Sequence, residues 1–304
     1  MTLLVSGWVA IDEIETPFER RHEILGGSAP PAALAASLFT DVRLLAAVGE
    51  DFPLKKRELL ERPGIDTRGL ITIAGGETSR WGGRYHYDMN TRDTAYTRLG
   101  VNGEWRATLP EGWEDSSALF CAADNPETQL GLIRALPAVR TTMVDTIKFY
   151  MDGMRASVLD TFAASDFIAI NETEARELAQ VASIAQATRR LLAKGPRGVI
   201  VKLGEYGAAY RSAEDYFVAA GYPLEEVVDP TGAGDAFAGG FMGYLDSVTT
   251  ITPAEIRRAI VYGSTVASFQ VEAFGPERLF TLTRREVESR YREFRMLTHF
   301  EVGE

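Results

Sequence analysis

The chain has 304 residues, of which 45% are hydrophobic and 25% are charged, a composition typical of a globular protein. These proportions exclude collagen-like, disulfide-scaffold and disordered chains. The 43 acidic residues outnumber the 32 basic ones, and a net charge of −11 makes a nucleic acid partner unfavourable, because phosphate backbones are repelled.

The single cysteine and the lack of long apolar runs indicate the compartment of the protein. Cys121 is the only cysteine, so no intramolecular disulfide can form, which fits a reducing compartment. No apolar run approaches the roughly 18 residues of a membrane span, and acidic residues interrupt the N-terminal segment where a leader peptide needs an apolar core. We therefore expect a cytoplasmic protein that does not bind a membrane.

Short apolar strands alternate with helices along most of the chain. Strands are predicted at 3–7, 43–49, 118–123, 141–145, 166–170 and 198–203, and helices at 29–38, 54–60, 127–136, 153–163, 172–181 and 183–193. This alternation is typical of an α/β fold with a mostly parallel sheet flanked by helices.

Residues 68–106 interrupt this alternation, because they are rich in Gly, Thr, Arg and aromatic residues. Trp81, Tyr85 and Tyr87 are spaced as on a strand, and no helical pattern fits. We predict antiparallel strands outside the main sheet, joined by the polar stretch 11–25, which form a lid that excludes water from a reaction. The alternatives are an edge hairpin without a functional role and an aromatic surface that pairs two copies into a homodimer.

The most informative segment is 227–241, where an apolar strand is predicted to end in Asp229 and a helix to begin near Asp235. Gly232 and Gly234 leave space for backbone N–H groups to converge at the helix N-terminus, which favours binding of a phosphoryl group. A carboxylate at position 235 can accept the proton of an attacking hydroxyl. The same pattern is also typical of a tightly packed turn between a strand and a helix.

This segment resembles the C-terminal signature of the ribokinase-like (PfkB) carbohydrate kinase family, D-T-x-G-A-G-D-x-F-x-x-G-F. Pro230 replaces the usual Thr. The matching positions are Asp229, Gly232, Ala233, Gly234, Asp235, Phe237, Gly240 and Phe241. A match of this length is specific to the family.

Other segments resemble the family in the same order along the chain. They are Gly26-Gly27 before an Ala-rich helix, 48–51, 64–67, the N-x-x-E element at 171–174, and the turn 201–207, in which Lys202 replaces a Thr. On its own, the 171–174 segment is equally typical of an acidic helix N-terminus. Together these segments extend the resemblance over residues 3–275.

The resemblance implies a single ribokinase-like kinase domain over residues 1–304, with a doubly wound sheet and a lid formed by about 11–25 and 68–106. It implies transfer of the γ-phosphoryl group of ATP to a hydroxyl of a small molecule, with Mg²⁺ as cofactor. A non-catalytic nucleotide- or metabolite-binding protein is the alternative from another class, and the presence of Asp235 argues against it.

Roles for individual residues follow from the same resemblance. Asp235 would be the general base, and the backbone amides of Gly232, Ala233 and Gly234 would form the anion hole. The acceptor would contact Asp12 and the Gly26-Gly27 turn, and the nucleotide would lie against Lys202, Gly204, Gly207, Ser264 and Ala267. Mg²⁺ would be positioned through water by Asn171 and Glu174, and a monovalent cation such as K⁺ by Asp229, Thr231 and carbonyls near Gly275.

The chain departs from the family pattern at a position that would contact the acceptor. Pro31 stands where sugar kinases of this family commonly carry an Asn that contacts hydroxyls, and proline has no polar side chain to replace it. Because no cluster of basic residues suits a phosphorylated acceptor, we expect an unphosphorylated sugar or polyol, and a nucleoside is the alternative.

Further candidate contacts to the acceptor come from strand ends and from the predicted lid. Asn125 and Asp145 follow predicted strands, where α/β sites collect, and they contact the acceptor or cap the loops that follow. Arg80 and Arg84, with the aromatic residues beside them, would close over the acceptor from the lid. Trp8, after the first strand, stacks on a base or fills the core.

Overall fold

A computed structural model describes residues 1–299. In chain order its strands are β1 (Thr2–Ser6), β2 (Ala10–Glu15), β3 (Arg20–Gly26), β4 (Asp41–Gly49), β5 (Ile65–Asp66), β6 (Leu70–Ile73), β7 (Ser79–Tyr85), β8 (Arg92–Arg98), β9 (Ala118–Cys121), β10 (Thr142–Val144), β11 (Phe167–Asn171), β12 (Gly198–Lys202), β13 (Ala208–Arg211) and β14 (Tyr216–Ala219). The α-helices are α1 (Ala29–Ala36), α2 (Leu54–Leu60), α3 (Pro126–Ala135), α4 (Lys148–Gly153), α5 (Arg155–Ala164), α6 (Glu172–Ala179), α7 (Ile184–Leu192), α8 (Ala233–Ser247), α9 (Pro253–Gln270), α10 (Glu277–Thr281) and α11 (Arg284–Thr298).

The main sheet has the strand order β14-β13-β12-β11-β10-β9-β1-β4-β5, and β6 pairs with the second half of β4. The strands from β12 to β5 are parallel, and β13 and β14 add an antiparallel end. From β1 the chain first builds β4, β5 and β6 on one side and later β9 to β14 on the other. This confirms the predicted α/β fold with its mostly parallel sheet, and ligands of such sheets bind where the strand order reverses.

Both faces of the main sheet are covered by helices. Leu3 and Val5 of β1 point into one apolar cluster with α1, α8 and α9, and Leu4 points into another with α3, α5, α6 and α7. Strands that are buried on both faces are apolar at nearly every position, because neither face meets water. The carboxyl ends of these strands are therefore where polar residues gather.

A second sheet contains four strands in the order β3-β2-β7-β8. β2 and β7 are parallel, and the other two pairs are antiparallel. We call these four strands the small sheet. The segment predicted to lie outside the main sheet, 68–106, was too long. Residues 70–73 pair with β4 in the main sheet, and Tyr87 lies beyond the end of β7.

One local prediction was wrong. No strand precedes Asp229: the N–H groups of Val228 and Asp229 donate to the carbonyl of Val271 at 2.8 and 3.3 Å, so this segment pairs with the end of α9 and not with a sheet. The helix predicted at 153–163 is confirmed as α5, and α4 is a further short helix before it, with Met154 between the two. Within the described part of the chain, the helices are too short or too polar to cross a bilayer.

Candidate active site

The loop 229–232 and the start of α8 offer backbone donors to an anion. Gly232 has φ +78°, a left-handed conformation that favours glycine, and it directly precedes the helix. The N–H of Ala233 donates to the carbonyl of Pro230 at 3.2 Å, whereas the N–H groups of Gly232, Gly234 and Asp235 have no acceptor within residues 1–299. Free N–H groups at a helix N-terminus attract an anion.

Three carboxylates surround one ammonium group beside this loop. Lys202 Nζ donates to Asp145 Oδ2 at 2.5 Å, and it lies 3.0 Å from where a Cβ on Gly234 would stand. Burial lowers the pKa of Lys202, but Asp145, Asp235 and Glu174 raise it above its usual value, so the ammonium stays charged. Lys202, expected beside the nucleotide, therefore lies at the centre of the charged site.

The carboxyl group of Asp235 is tuned towards neutral pH. Burial raises its pKa from 3.8 to about 8, an effect that Lys202 opposes and Asp145 strengthens. Burial also raises the pKa of Glu174 to about 7, again with a contribution from Asp145. A carboxyl group with a pKa near the working pH is suited to take up and release a proton, and such shifts are common in active sites.

Asn171 and Glu174 form the N-terminal capping box of α6. The N–H of Glu174 donates to Asn171 Oδ1 at 2.9 Å, and the N–H of Asn171 donates to Glu174 Oε2 at 3.0 Å. The helix-cap interpretation is thus correct, yet the cap also fixes a buried carboxylate beside Lys202. The two interpretations of this motif are compatible.

The predicted acceptor contacts Asp12, Gly26 and Gly27 lie together where β2 meets β3. Asp12 is 4% exposed, and its Oδ1 has no partner within residues 1–299. Burial raises its pKa to about 7, although the N–H of Gly27 lowers it. A Cβ on Gly26 would collide with this carboxylate, so glycine is required there. A buried, unpartnered acceptor indicates a missing donor such as a ligand hydroxyl.

Two polar side chains near β9 are hydrogen-bonded within the fold. Asn125 Oδ1 accepts from the N–H of Glu127 at 2.8 Å and caps α3, as the alternative interpretation held. The neighbouring Asp124 is buried and accepts from Trp8 Nε1 at 2.9 Å. Ser28 joins this group to the Gly26-Gly27 turn, because its hydroxyl donates to the carbonyl of Ala123 and accepts from the N–H of Trp8.

The turn after β12 contains the glycines expected beside the nucleotide. Gly204 and Gly207 have φ values of +60° and +98°, which glycine adopts most readily. Asn90, at the tip of the β7–β8 hairpin, touches Gly204, so the small sheet reaches this turn. Ser264 and Ala267 lie on α9, which packs beside β14.

The small sheet brings one arginine to the site, and it is not one of those expected. Arg80 pairs with Glu23 at 2.9 Å, and Arg84 pairs with Glu15 at 2.9 Å, so both are engaged with acidic residues of β2 and β3. Arg92 of β8 is instead a neighbour of the site, where its charge opposes the raised pKa of Asp235 and of Glu174.

Tyr85 and Trp81 hold this arginine. Arg92 lies 5.0 Å from the Trp81 ring centre and donates to Tyr85 Oη at 3.4 Å. Thr231 Oγ1 donates to the same Oη at 3.1 Å, which connects the small sheet to the loop 229–232. Tyr87 is 82% exposed and does not take part.

The residues implied for a monovalent cation are already bonded to one another. Asp229 is fully buried and accepts from the N–H groups of Thr231 and Gly275, both at 2.8 Å. The carbonyls of Thr231 and Gly275 accept from Gln270 Nε2 at 2.9 and 2.7 Å. Because an amide nitrogen occupies the space between the two carbonyls, the residues present do not fit a cation there.

Comparisons with known proteins show the family and the fold that this chain shares. A family model described as pfkB family carbohydrate kinase matches residues 12–281. The chain is 32% identical over 251 residues to a cytidine kinase from Thermococcus kodakarensis, an alignment that covers 80% of this chain and 88% of the relative.

Solved structures share the fold over nearly the whole chain. A nucleoside kinase from Burkholderia thailandensis in complex with inosine has a TM-score of 0.75 at 20% identity and covers 97% of this chain and 98% of its own. A ribokinase-like protein from E. coli in complex with ATP and Mg²⁺ has a TM-score of 0.77 at 20% identity, with coverage of 96% and 99%.

Proposed function

The chain belongs to the pfkB family of carbohydrate kinases and is a phosphotransferase, and we propose that it transfers the γ-phosphoryl group of ATP to a hydroxyl of a nucleoside. The observation that carries this acceptor class is the 32% identity to a cytidine kinase over 80% of the chain. Pro31 supports it, because it leaves the site without the Asn that sugar kinases commonly use. A free sugar or polyol is the second candidate, favoured by the unpartnered oxygen of Asp12, which suits any hydroxyl.

Proton transfer is assigned to Asp235. The attacking hydroxyl gives its proton to this carboxylate while its oxygen forms the bond to the γ-phosphorus, and the bond to the bridging oxygen of ADP breaks. A pKa of about 8 means that the carboxylate has the affinity to accept a proton in the transition state. Asp12 would accept a hydrogen bond from a second hydroxyl of the acceptor and so fix its orientation.

The backbone N–H groups of Gly232, Gly234 and Asp235 are assigned to the oxygens of the transferring group. They have no acceptor within the described residues, and they lie at the start of α8 in fixed positions. Donors that are already oriented stabilise developing charge without reorganisation. Lys202 and Arg92 would add positive charge from two sides of the same region.

Mg²⁺ fits this site on charge grounds. Asp145, Glu174 and Asp235 place three carboxylates around the single ammonium of Lys202, and their burial raises the pKa of Asp235 and Glu174. These carboxylates do not form a direct ligand set, since residues 1–299 contain no group of three acidic, His or Cys side chains that could hold one ion, so the protein would hold it mainly through water from Glu174. When bound, Mg²⁺ supplies neutralisation of the phosphate charge.

The test measures ADP release with MgATP for two groups of acceptors, cytidine, uridine and inosine against ribose and fructose. We expect kcat/KM for the preferred nucleoside to exceed that of either sugar by about tenfold or more, because buried polar groups of the site are left unpaired by a smaller acceptor. A ³¹P NMR spectrum identifies the product as a nucleoside monophosphate. Preference for ribose or fructose would reverse the order of the two candidates.

The matched control is Asp235→Asn prepared in the same way. It separates activity of this chain from that of a contaminating kinase, because its turnover should fall by about 10²-fold or more with every acceptor. A homodimer formed through the small sheet and a cytoplasmic location remain predictions of the sequence.

A further inference from the structure

Gln270 is the last residue of α9, and its side chain is fully buried between two loops. Its Nε2 donates to the carbonyl of Thr231 at 2.9 Å and to the carbonyl of Gly275 at 2.7 Å. Carbonyl oxygens only accept hydrogen bonds, so the orientation of the amide is fixed, with its nitrogen towards them. Gln270 Oε1 has no partner within residues 1–299.

Asp229 completes this arrangement from the other side. Thr231 and Gly275 each donate an N–H to the Asp229 carboxylate, at 2.8 Å, and each offers a carbonyl to Gln270. The buried side chains of Asp229 and Gln270 thus each form hydrogen bonds to both Thr231 and Gly275. Asp229 accepts both of its bonds, and Gln270 donates both of its bonds. We call Asp229, Gln270, Thr231 and Gly275 the loop clamp.

The loop clamp touches the anion-binding turn directly. Gln270 Nε2 lies 3.1 Å from where a Cβ on Gly232 would stand, and Thr231 immediately precedes this glycine. The clamp therefore sets the position of the backbone N–H groups that follow. A cation coordinated by the carbonyls of Thr231 and Gly275 would order this turn in the same way.

We propose that the Gln270 amide takes the place of a monovalent cation in this chain, so that the anion-binding loop is ordered without K⁺. A cation binds carbonyl oxygens with its full charge, whereas the amide presents two N–H hydrogens to the same oxygens. Those hydrogens carry partial positive charge and would repel a cation placed between them. The catalytic part of the inference rests on the proposed kinase function, and the binding part does not.

The first measurement uses the unaltered chain in K⁺ and in tetramethylammonium at equal ionic strength. Thermal unfolding should have the same midpoint in both salts, because a ligand stabilises only the state that binds it. Turnover of the preferred acceptor should also be the same in both. A higher midpoint or a several-fold higher turnover in K⁺ would overturn the proposal.

Gln270→Glu provides the converse test. The carboxylate has nearly the same shape, cannot donate to both carbonyls when ionised, and adds oxygen ligands and negative charge at the same point. We expect this variant to show a K⁺-specific rise in its unfolding midpoint and about a tenfold loss of turnover in tetramethylammonium that K⁺ restores. Gln186→Glu, the same substitution at an exposed position of α7, should show neither effect.

The outcomes separate the two proposals. If no acceptor is phosphorylated, the proposed function fails, and the thermal midpoints still decide the cation question. If Gln270→Glu gains no K⁺ response in either measurement, the loop clamp is not equivalent to a cation site and the inference is wrong. Gln270→Ala, which removes the donor without adding a charge, should lower turnover in every salt.

Discussion

Replacement of Asp235 by Asn should raise stability while it removes activity. The folded state holds the Asp235 carboxyl at a pKa of about 8, against 3.8 in the unfolded chain, because burial disfavours the charged form. Each unit of difference corresponds to about 1.4 kcal/mol, so ionised Asp235 lowers the free energy of unfolding by roughly 6 kcal/mol. Asn has the same shape and no charge, so the variant avoids this loss in the free energy of unfolding.

The effect has a defined pH dependence. Below the unfolded-state pKa, Asp235 is protonated in both the folded and the unfolded protein. The wild type then loses no free energy of unfolding relative to the variant. As pH rises towards the folded pKa, the unfolded state loses its proton and the folded state keeps it, so wild-type stability falls by about 1.4 kcal/mol per pH unit. Between pH 5 and pH 8 the advantage of Asp235→Asn should therefore grow by about 4 kcal/mol.

Urea unfolding of both proteins at these two pH values measures the difference, and an ADP-release assay measures turnover in parallel. Loss of a general base should lower kcat by about 10²-fold or more. Asp160→Asn on the exposed surface of α5 is the control, and it should change neither quantity. A stability difference that does not grow with pH would show that Asp235 is not buried as a charge, and undiminished turnover would remove it as the base.

Three further results are expected. The rate kcat/KM should rise with pH towards a plateau above about 8, the pKa of Asp235, and a flat profile would contradict this. Arg92→Ala should lower kcat by about 10²-fold because a positive charge beside the transferring group is lost, whereas Arg98→Ala, at the other end of the same strand, should not. Gly26→Ala should raise KM for the acceptor by about tenfold and leave KM for MgATP unchanged, since the new Cβ displaces Asp12; an equal rise in both would argue for a general folding defect.

The sequence predicted the parts of the site that depend on local patterns. The strand–helix alternation gave the fold class because each buried strand is a short apolar run. The free N–H groups at 232–235 were predictable because Gly232 and Gly234 keep side chains away from a helix start, and the resemblance to the family signature favoured an anion site over a tightly packed turn. The missing strand before Asp229 was not predictable, since Val227 and Val228 look like strand residues whichever partner they find.

Arg92 could not be assigned to the site from its spacing. A strand alternates its faces at every residue, so one extra residue reverses which side chains face inward. The β7–β8 pairing shifts register between Gly82 and Gly83, and beyond this shift Arg92 stands opposite Tyr85. The bulge thus decides that Arg92, and not Asp93, stands opposite Tyr85, whereas Arg80 and Arg84 lie on the other face of β7 by simple alternation.

Gln270 was equally hidden, because its partners lie 39 and 5 residues away and are backbone atoms. A single Gln at the end of an apolar helix looks like an ordinary polar terminus. Its role follows only when the fold brings the carbonyls of Thr231 and Gly275 to its amide nitrogen. The pattern of side chains in a sequence does not show which backbone carbonyls a given side chain will reach in the fold.

The small sheet and the loop clamp act on the same short turn from different directions. Thr231 is bonded to Gln270 through its carbonyl and to Tyr85 through its hydroxyl, so both the core and the small sheet fix its position. Arg92 is held by Tyr85, and its charge is among those that lower the pKa of Asp235 against the dominant effect of burial. Displacement of the small sheet would therefore remove a positive charge from the base and a contact from the anion-binding turn together. We therefore expect deprotonation of Asp235, the proposed base, to be coupled to ordering of the proposed phosphate donors through the hydroxyl of Tyr85.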